Sequence, residues 1–466
     1  MSARELASLI CTRKLSAREL MAAHLDQIRR LNPKINAIVA KLDDQQCLAL
    51  ADHADRRLSR GEKVGPLHGL PIAFKDLEAA VGFPVTQGSP IFKDCMPSED
   101  TVLVARLRTA GVIPIGKTNV SEFGMGSHAY NQVYGTTVNP YDLAKSAGGS
   151  SGGAGAALAA GLLPIADGGD YGGSVRNPAS FNNIVGLRPT VGLVPTSPNA
   201  LPFLGYAVKG PMARSVADVA LLLSAMAGDD PRDPGCHASD PSVFAQPLDR
   251  SMKGVRVAWC LDLGGLPLDR RVRSVLEARR DTFEDLGCIV EDACPDLCNA
   301  DDVFLTIRRW KSWTTLGPLL KAHRSEMKPE AVEEIESGAK VTSADVGKAM
   351  LQQAALMERM RRFQQTYEFI LCAVNQVPPF DADTKWPHEI CGVTMQHYVE
   401  WMKSTYWISA TFHPALSVPA GFTSDGLPVG LQVVGRYRDD LGVLQLGYAF
   451  EQATGFGRQR PPIAIS

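Results

Sequence analysis

The stretch GGAGAALAAGLLPIADGGDYGGSVRNPA, residues 152–179, constrains the fold more than any other part of the chain. Its first half holds nothing bulkier than leucine and is mostly Gly and Ala, a composition that packs where neighbouring backbone comes close on several sides. This predicts a buried helix leading into a strand rather than a flexible linker, although glycine and serine crowd both flanks. The flanks are GGSSGG, which carries Ser150 and Ser151, and DGGDYGGS, which carries Ser174. A helix followed by a strand turns the chain back on itself, so both glycine–serine loops are expected to meet at one end of a sheet.

Around this unit, helix and strand patterns alternate. PLHGLPIAFKD contains a short β-type run ending in Lys75, TVLVARLRTAG reads as helix, and VIPIGKTN and VRVAWC read as strands. Residues 301–367 are mostly helical and charged, with Trp310 and Trp313 on one face, and HPALSVPAGF and LPVGLQVVGR are strand-like runs around the turn TSDG. The alternation predicts an α/β layer architecture with a largely parallel sheet. Ser2 with Glu5 and Ser16 with Glu19 each match a capping box, predicting two N-terminal helices. There is no internal repeat and no clean linker. The expectation is one domain over residues 1–466, with N-terminal helices in 1–65, a core in 66–230, and a C-terminal part in 231–466 that lines the site and closes the sheet.

Composition narrows the function. A content of 45% hydrophobic and 21% charged residues suits a large buried core. A net charge of −2, with Lys and Arg spread evenly, gives no reason to expect nucleic acid or an anionic membrane as partner. The N-terminus is amphipathic and no later run reaches ~18 apolar residues, so neither export nor membrane spanning is predicted. The ten cysteines are scattered, their closest pair being Cys294 and Cys298, and read as reduced thiols of a cytoplasmic protein. The nine histidines show no metal-ligand spacing, so no metal is expected.

Three signals carry possible chemistry. GVIPIGKT, from Gly111 to Thr118, fits the phosphate-loop pattern and offers nucleotide binding as an alternative. Its interior is apolar and includes a proline with no N–H to donate, so it reads as a strand whose lysine pairs locally. GGSSGG contains the G-x-S-x-G of a nucleophile elbow, but the preceding NPYDLAKSA reads as a loop where an elbow needs a strand. The third signal is Lys75 taken with Ser150 and Ser174. Burial disfavours an ammonium and lowers its pKa, which makes a lysine a usable base, and a serine between it and a second serine would relay the proton.

GGSSGGAGAALAAGLLPIADGGDYGGSVRNPA is similar to the signature of the amidase signature family, and PLHGLPIAFKDL, GKTNVSEFGMGS, VGLRPTVGLVP, GPMARSVADVALLL and PALSVPAGFTSDGLPVGLQVVG resemble family blocks in family order. The resemblance covers most of the chain. It implies an α/β/α sandwich with a large mixed, mostly parallel central sheet. It further implies a hydrolase that cleaves a carboxylic amide, or a similar anilide, carbamate or ester, without cofactor. Carried over position by position, Ser174 is the nucleophile, Ser150 the bridging serine after a cis peptide bond, and Lys75 the general base. Tyr171, Gly172 and Gly173 supply the oxyanion hole, with Ser174 adding its own N–H. Asp170 and Arg176 brace the loop, and Met125, Gly126 and Ser151 meet the substrate. Two departures stand out: Gly169 replaces the usual Thr or Ser, and Tyr171 a usually smaller residue. Asn177 stands where the glutaminase subunit of a tRNA-dependent amidotransferase generally has glutamine, which weakens that alternative. The implied partner is a small-molecule amide, with a homodimer possible. Specificity is expected in residues 301–367 and 377–407, whose content favours apolar or aryl groups.

Overall fold

The computed structural model describes residues 1–465. Both capping boxes form. Ser2 Oγ accepts the Glu5 N–H at 3.1 Å while Glu5 takes the Ser2 N–H, and Ser16 with Glu19 repeats the exchange. Each satisfies orphan donors at a helix start, opening Ala3–Cys11 and Ala17–Ile35.

Two sheets organise the chain. A small one contains Ile38–Val39 (β1), Pro71–Lys75 (β2) and Ile113–Thr118 (β3) in the order β1-β3-β2. The large one contains Ile165–Asp170 (β4), Val185–Arg188 (β5), Val208–Ala213 (β6), Arg256–Trp259 (β7), Ile289–Asp292 (β8), Phe369–Ala373 (β9), Ala415–Phe422 (β10) and Pro428–Val434 (β11). Its eight strands lie in the order β8-β7-β9-β11-β10-β5-β6-β4.

This sheet is mixed, as expected, but it is not mostly parallel. Within it, only β7 runs parallel to its neighbours β8 and β9, and the remaining adjacent pairs are antiparallel. The helical crossovers do generate parallel strands, but later strands slip between them. Thus β4 and β5 share a direction across the helix Arg176–Phe181, and β6 inserts antiparallel to both. The hairpin of β10 and β11 around TSDG adds further antiparallel pairs.

Side chains alternate across a strand, so a sheet covered on both faces shows unbroken apolar runs. In the central strands, Val257, Phe369 and Leu371 pack with Val219, Leu223 and Phe450 on one side. Ala258, Ile370 and Cys372 pack with Phe304, Met360 and Tyr406 on the other. The result is an α/β/α sandwich. The small-residue helix is Gly152–Ala159, and all of it is buried. A Cβ on Gly153 would lie 2.3 Å from the backbone nitrogen of Asn119, which explains why nothing larger stands there.

The cysteine expectation does not hold. Cys260, just after β7, and Cys294, ahead of the long helix Ala300–His323, form a disulfide with Cα atoms 5.2 Å apart. Topology brings them together from 34 positions apart, which spacing arguments do not register. Among the described residues no helix is long and apolar enough to cross a membrane.

Candidate active site

The two sheets meet where β2 runs alongside β4. The Lys75 N–H donates to the Asp167 carboxylate at 3.1 Å, so a side chain joins strands that no backbone ladder connects. This sets the end of β2 against the loops that bracket the buried helix.

Lys75 is 1% exposed. Its Nζ lies 2.9 Å from Ser150 Oγ, 2.8 Å from Ser151 Oγ and 3.2 Å from the Gly169 carbonyl. Burial, then the charge of Lys209, bring the amine down to about 7, against the pull of Asp167, Glu78 and Asp170. Three acceptors suit an ammonium with three N–H groups. A neutral amine keeps its bond to Gly169, which can only accept, and turns a lone pair to a serine hydroxyl. The pocket therefore satisfies both protonation states. The peptide before Ser150 is cis, and its carbonyl accepts from Ser127 Oγ, which in turn accepts from Asn177 Nδ2 at 2.8 Å.

Ser174 is 6% exposed, and its hydroxyl makes no hydrogen bond among the described residues. The two loops touch instead through the Ser151 N–H, which donates to the Ser174 carbonyl at 3.2 Å. The second hydroxyl on Lys75 is thus that of Ser151. Ser151, anticipated at the substrate, is fully buried against the lysine.

The loop after β4 is held by Asp170. Its carboxylate accepts from Arg176 Nε and Nη2, both at 3.0 Å, from the Gly173 N–H at 2.8 Å, and from Arg188 Nη1 at 3.2 Å. These cations and hydrogen bonds outweigh burial and keep the Asp170 carboxyl well below the usual range. Asp170 and Arg176 are the expected brace, and Arg188 is a second cation that the loop motif does not contain. Arg176 also reaches Gln432 Oε1 at 2.5 Å and Ser409 Oγ at 2.7 Å, fastening the loop to the large sheet and to the helix Lys403–Ala410.

Gly173 corrects the oxyanion expectation, because its N–H is committed to Asp170. The N–H groups of Tyr171, Gly172 and Ser174 have no partner among the described residues. Gly173 is required for shape: its φ is +128° and a Cβ would sit 2.3 Å from Thr405 Oγ1. A Cβ on Gly172 would meet Phe304 at 2.6 Å. Gly169 is different, since a Cβ there makes ordinary contacts, at 3.7 Å from Lys75 Nζ.

Met125 and Gly126 follow Gly124, whose Cβ would be 3.6 Å from Ser150 Oγ. Met125 is buried among Leu320, Met327 and Ile335, and its carbonyl accepts from Lys328 Nζ at 2.6 Å. Gly126 abuts Tyr398. The nucleotide-binding alternative fails on structure. Ile113–Thr118 is a strand buried at every position, and Lys117 donates to the Glu78 carbonyl and pairs with Asp76. NPYDLAKSA is no loop, since Asp142–Ser146 is a short strand, but it pairs with Val138–Asn139 and bridges Lys145 to Asp381, outside the central sheet.

The family model for amidases matches residues 19–444. The chain belongs to the amidase family. Over 464 residues it is 36% identical to an acylamidase of Rhodococcus erythropolis, covering 99% of this chain and 97% of that one. It is 33% identical to the A-type subunit of the glutamyl-tRNA(Gln) amidotransferase of Cyanothece sp., covering 99% and 100%. A bacterial aryl acylamidase of the amidase signature family superimposes with a TM-score of 0.90 at 28% identity, covering 99% of both chains. A 6-aminohexanoate cyclic dimer hydrolase does so at 0.89 and 26%, covering 100% of this chain and 99% of that one. This amidase is a hydrolase acting on amide C–N bonds.

Proposed function

We propose that this amidase works through a serine acyl-enzyme, with Ser174 as nucleophile, Ser150 as proton bridge and Lys75 as base. The observation that carries it is Lys75 itself, buried, brought down to about 7, and within 2.9 Å of Ser150 Oγ beside the Ser174 loop. In its neutral form Lys75 draws the proton of Ser150, which draws that of Ser174 as it attacks the carbonyl. The Ser150–Ser174 hydrogen bond this requires is not made among the described residues and is one that forms in the substrate complex, as catalytic hydrogen bonds often do. The N–H groups of Tyr171, Gly172 and Ser174 receive the oxyanion, each typically worth about 3 to 4 kcal/mol of barrier. The proton then returns through Ser150 to the leaving nitrogen, and water hydrolyses the acyl-enzyme along the same path. Ser151 and the Gly169 carbonyl hold Nζ in place throughout.

The substrate class we infer is an amide with an aryl or apolar portion. Its support is the relatives named acylamidase and aryl acylamidase, together with the aromatic wall of Tyr171, Tyr206, Phe304 and Tyr406 beside the loop. The relatives named as amidotransferase subunits favour a second reading, a glutaminase within a larger assembly. Free glutamine as substrate distinguishes the two. For the mechanism, Ser174→Ala is expected to cut anilide hydrolysis by about 10⁴-fold or more and to abolish fluorophosphonate labelling while melting as the parent does. Retained turnover in the folded variant would overturn it.

A further inference from the structure

The long helix Ala300–His323 lays Phe304, Arg308 and Lys311 along one face, and all three rest on Tyr171. The Tyr171 ring centre is 5.6 Å from that of Phe304, 5.8 Å from Arg308 Cζ and 5.7 Å from Lys311 Nζ. Tyr206 stacks on the same tyrosine at 5.2 Å with an interplanar angle of 21°. The ring is clamped, yet its hydroxyl is buried without a hydrogen-bond partner.

The two cations on this ring are in different positions. Arg308 is paired, with Nε 2.8 Å from Glu334 and Nη2 donating to Tyr398 at 2.7 Å. Lys311 is partly buried, and its ammonium makes no ion pair or hydrogen bond among the described residues. Burial, then the charge of Arg308, bring that ammonium down to about 8, against the pull of Glu334, whose carboxylate is taken up by Arg308 and Tyr398. A desolvated ammonium is stable chiefly beside an anion, and a buried phenol seeks a partner. Both stand on the side chain of the residue that opens the Tyr171–Ser174 turn, one tyrosine's reach from the nucleophile loop.

We propose that Lys311 Nζ and the Tyr171 hydroxyl together receive a carboxylate borne by the substrate, so that this amidase prefers amides carrying a free carboxylate some distance from the scissile bond. The proposal rests on the reading of Ser174 as nucleophile. An ammonium and a hydroxyl converging on one carboxylate make charge-assisted hydrogen bonds that a methyl ester at the same place cannot match. It also gives a use to the tyrosine that departs from the smaller residue common at this position.

The test measures binding by calorimetry in the Ser174→Ala chain, with two matched pairs: glutaric acid mono-anilide against its methyl ester, and N-acetyl-4-aminobenzoate against its methyl ester. The first places the carboxylate on the acyl side and the second on the amine side. At least one acid is expected to bind ten-fold or more tightly than its ester. Adding Lys311→Met should collapse that ratio toward one, and adding Lys311→Arg should keep it. Equal binding of acid and ester in both pairs, or a ratio that survives Lys311→Met, overturns the proposal. Product appearing in the calorimeter cell would count against the Ser174 reading alone, because the acid-to-ester ratio stays readable.

Discussion

Two lysines stand at the ends of neighbouring parallel strands one residue out of register, Lys117 opposite Phe74 and Lys75 opposite Thr118. Both are essentially fully buried. Lys117 donates to the Glu78 carbonyl and lies 4.0 Å from the Asp76 carboxylate, whereas Lys75 touches two hydroxyls and a carbonyl but no carboxylate. Burial lowers both, Lys75 to about 7. The contrast teaches that burial alone does not make a base. A carboxylate at Nζ makes the charge part of the structure, while neutral acceptors leave the proton free to move.

Replacing each lysine by methionine breaks the comparison in opposite directions. Lys75→Met is expected to lower kcat/KM by about 10³ to 10⁴-fold, and Lys75→Arg should not rescue it, because a guanidinium keeps its proton. The same Lys75→Met change should stabilise the fold. A folded amine near 7 and an unfolded one near ~10.4 mean that the unfolded chain binds more protons between those pH values. Burying Lys75 therefore costs most below pH 7, and the cost fades as pH rises toward 10. Thermal melting at pH 6 should show a gain on the order of a few kcal/mol that shrinks at pH 9 to 10. A lower melting temperature at pH 6 would contradict it. Lys117→Met should instead destabilise by about 3 to 5 kcal/mol, because it strands the buried Asp76 carboxylate, and Asp76→Asn in the same chain should recover part of the loss.

The contact of Lys75 with Ser150 was legible because both sit in local patterns, Lys75 ending an apolar run and Ser150 in a glycine loop before a helix that only small residues can form. The second hydroxyl at Nζ is instead that of Ser151, which the family resemblance set at the substrate. The Asp170–Arg176 brace is local too, spanning six positions. What escaped depends on pairings between distant strands. Arg188 ends VGLR as Lys75 ends PIAFK, so a charge closing an apolar strand is the signal that finds it. The parallel expectation failed because helix–strand alternation gives strand direction but not which strand inserts between two others. Gly173 failed for a finer reason: a glycine in a glycine–serine loop suggests a free N–H, and only the fold shows Asp170 claiming it.

Asp167 sharpens the comparison with the smallest expected effect. Its carboxylate accepts the Lys75 N–H, and burial together with the charge of Glu78 raises its pKa to about 6. Above that pH it is ionised and pulls the Lys75 pKa upward. Asn at this position keeps an oxygen for the Lys75 N–H and a similar volume, so the joint between the sheets survives while the charge is lost. Without the anion the Lys75 ammonium is disfavoured further, and the acid limb of kcat/KM should move to lower pH by up to ~1 unit. The separation between variant and parent should close below pH 6, where Asp167 in the parent takes up its own proton. A limb that stays put, or moves to higher pH, would show that the group titrating near 7 is not an amine held beside this carboxylate.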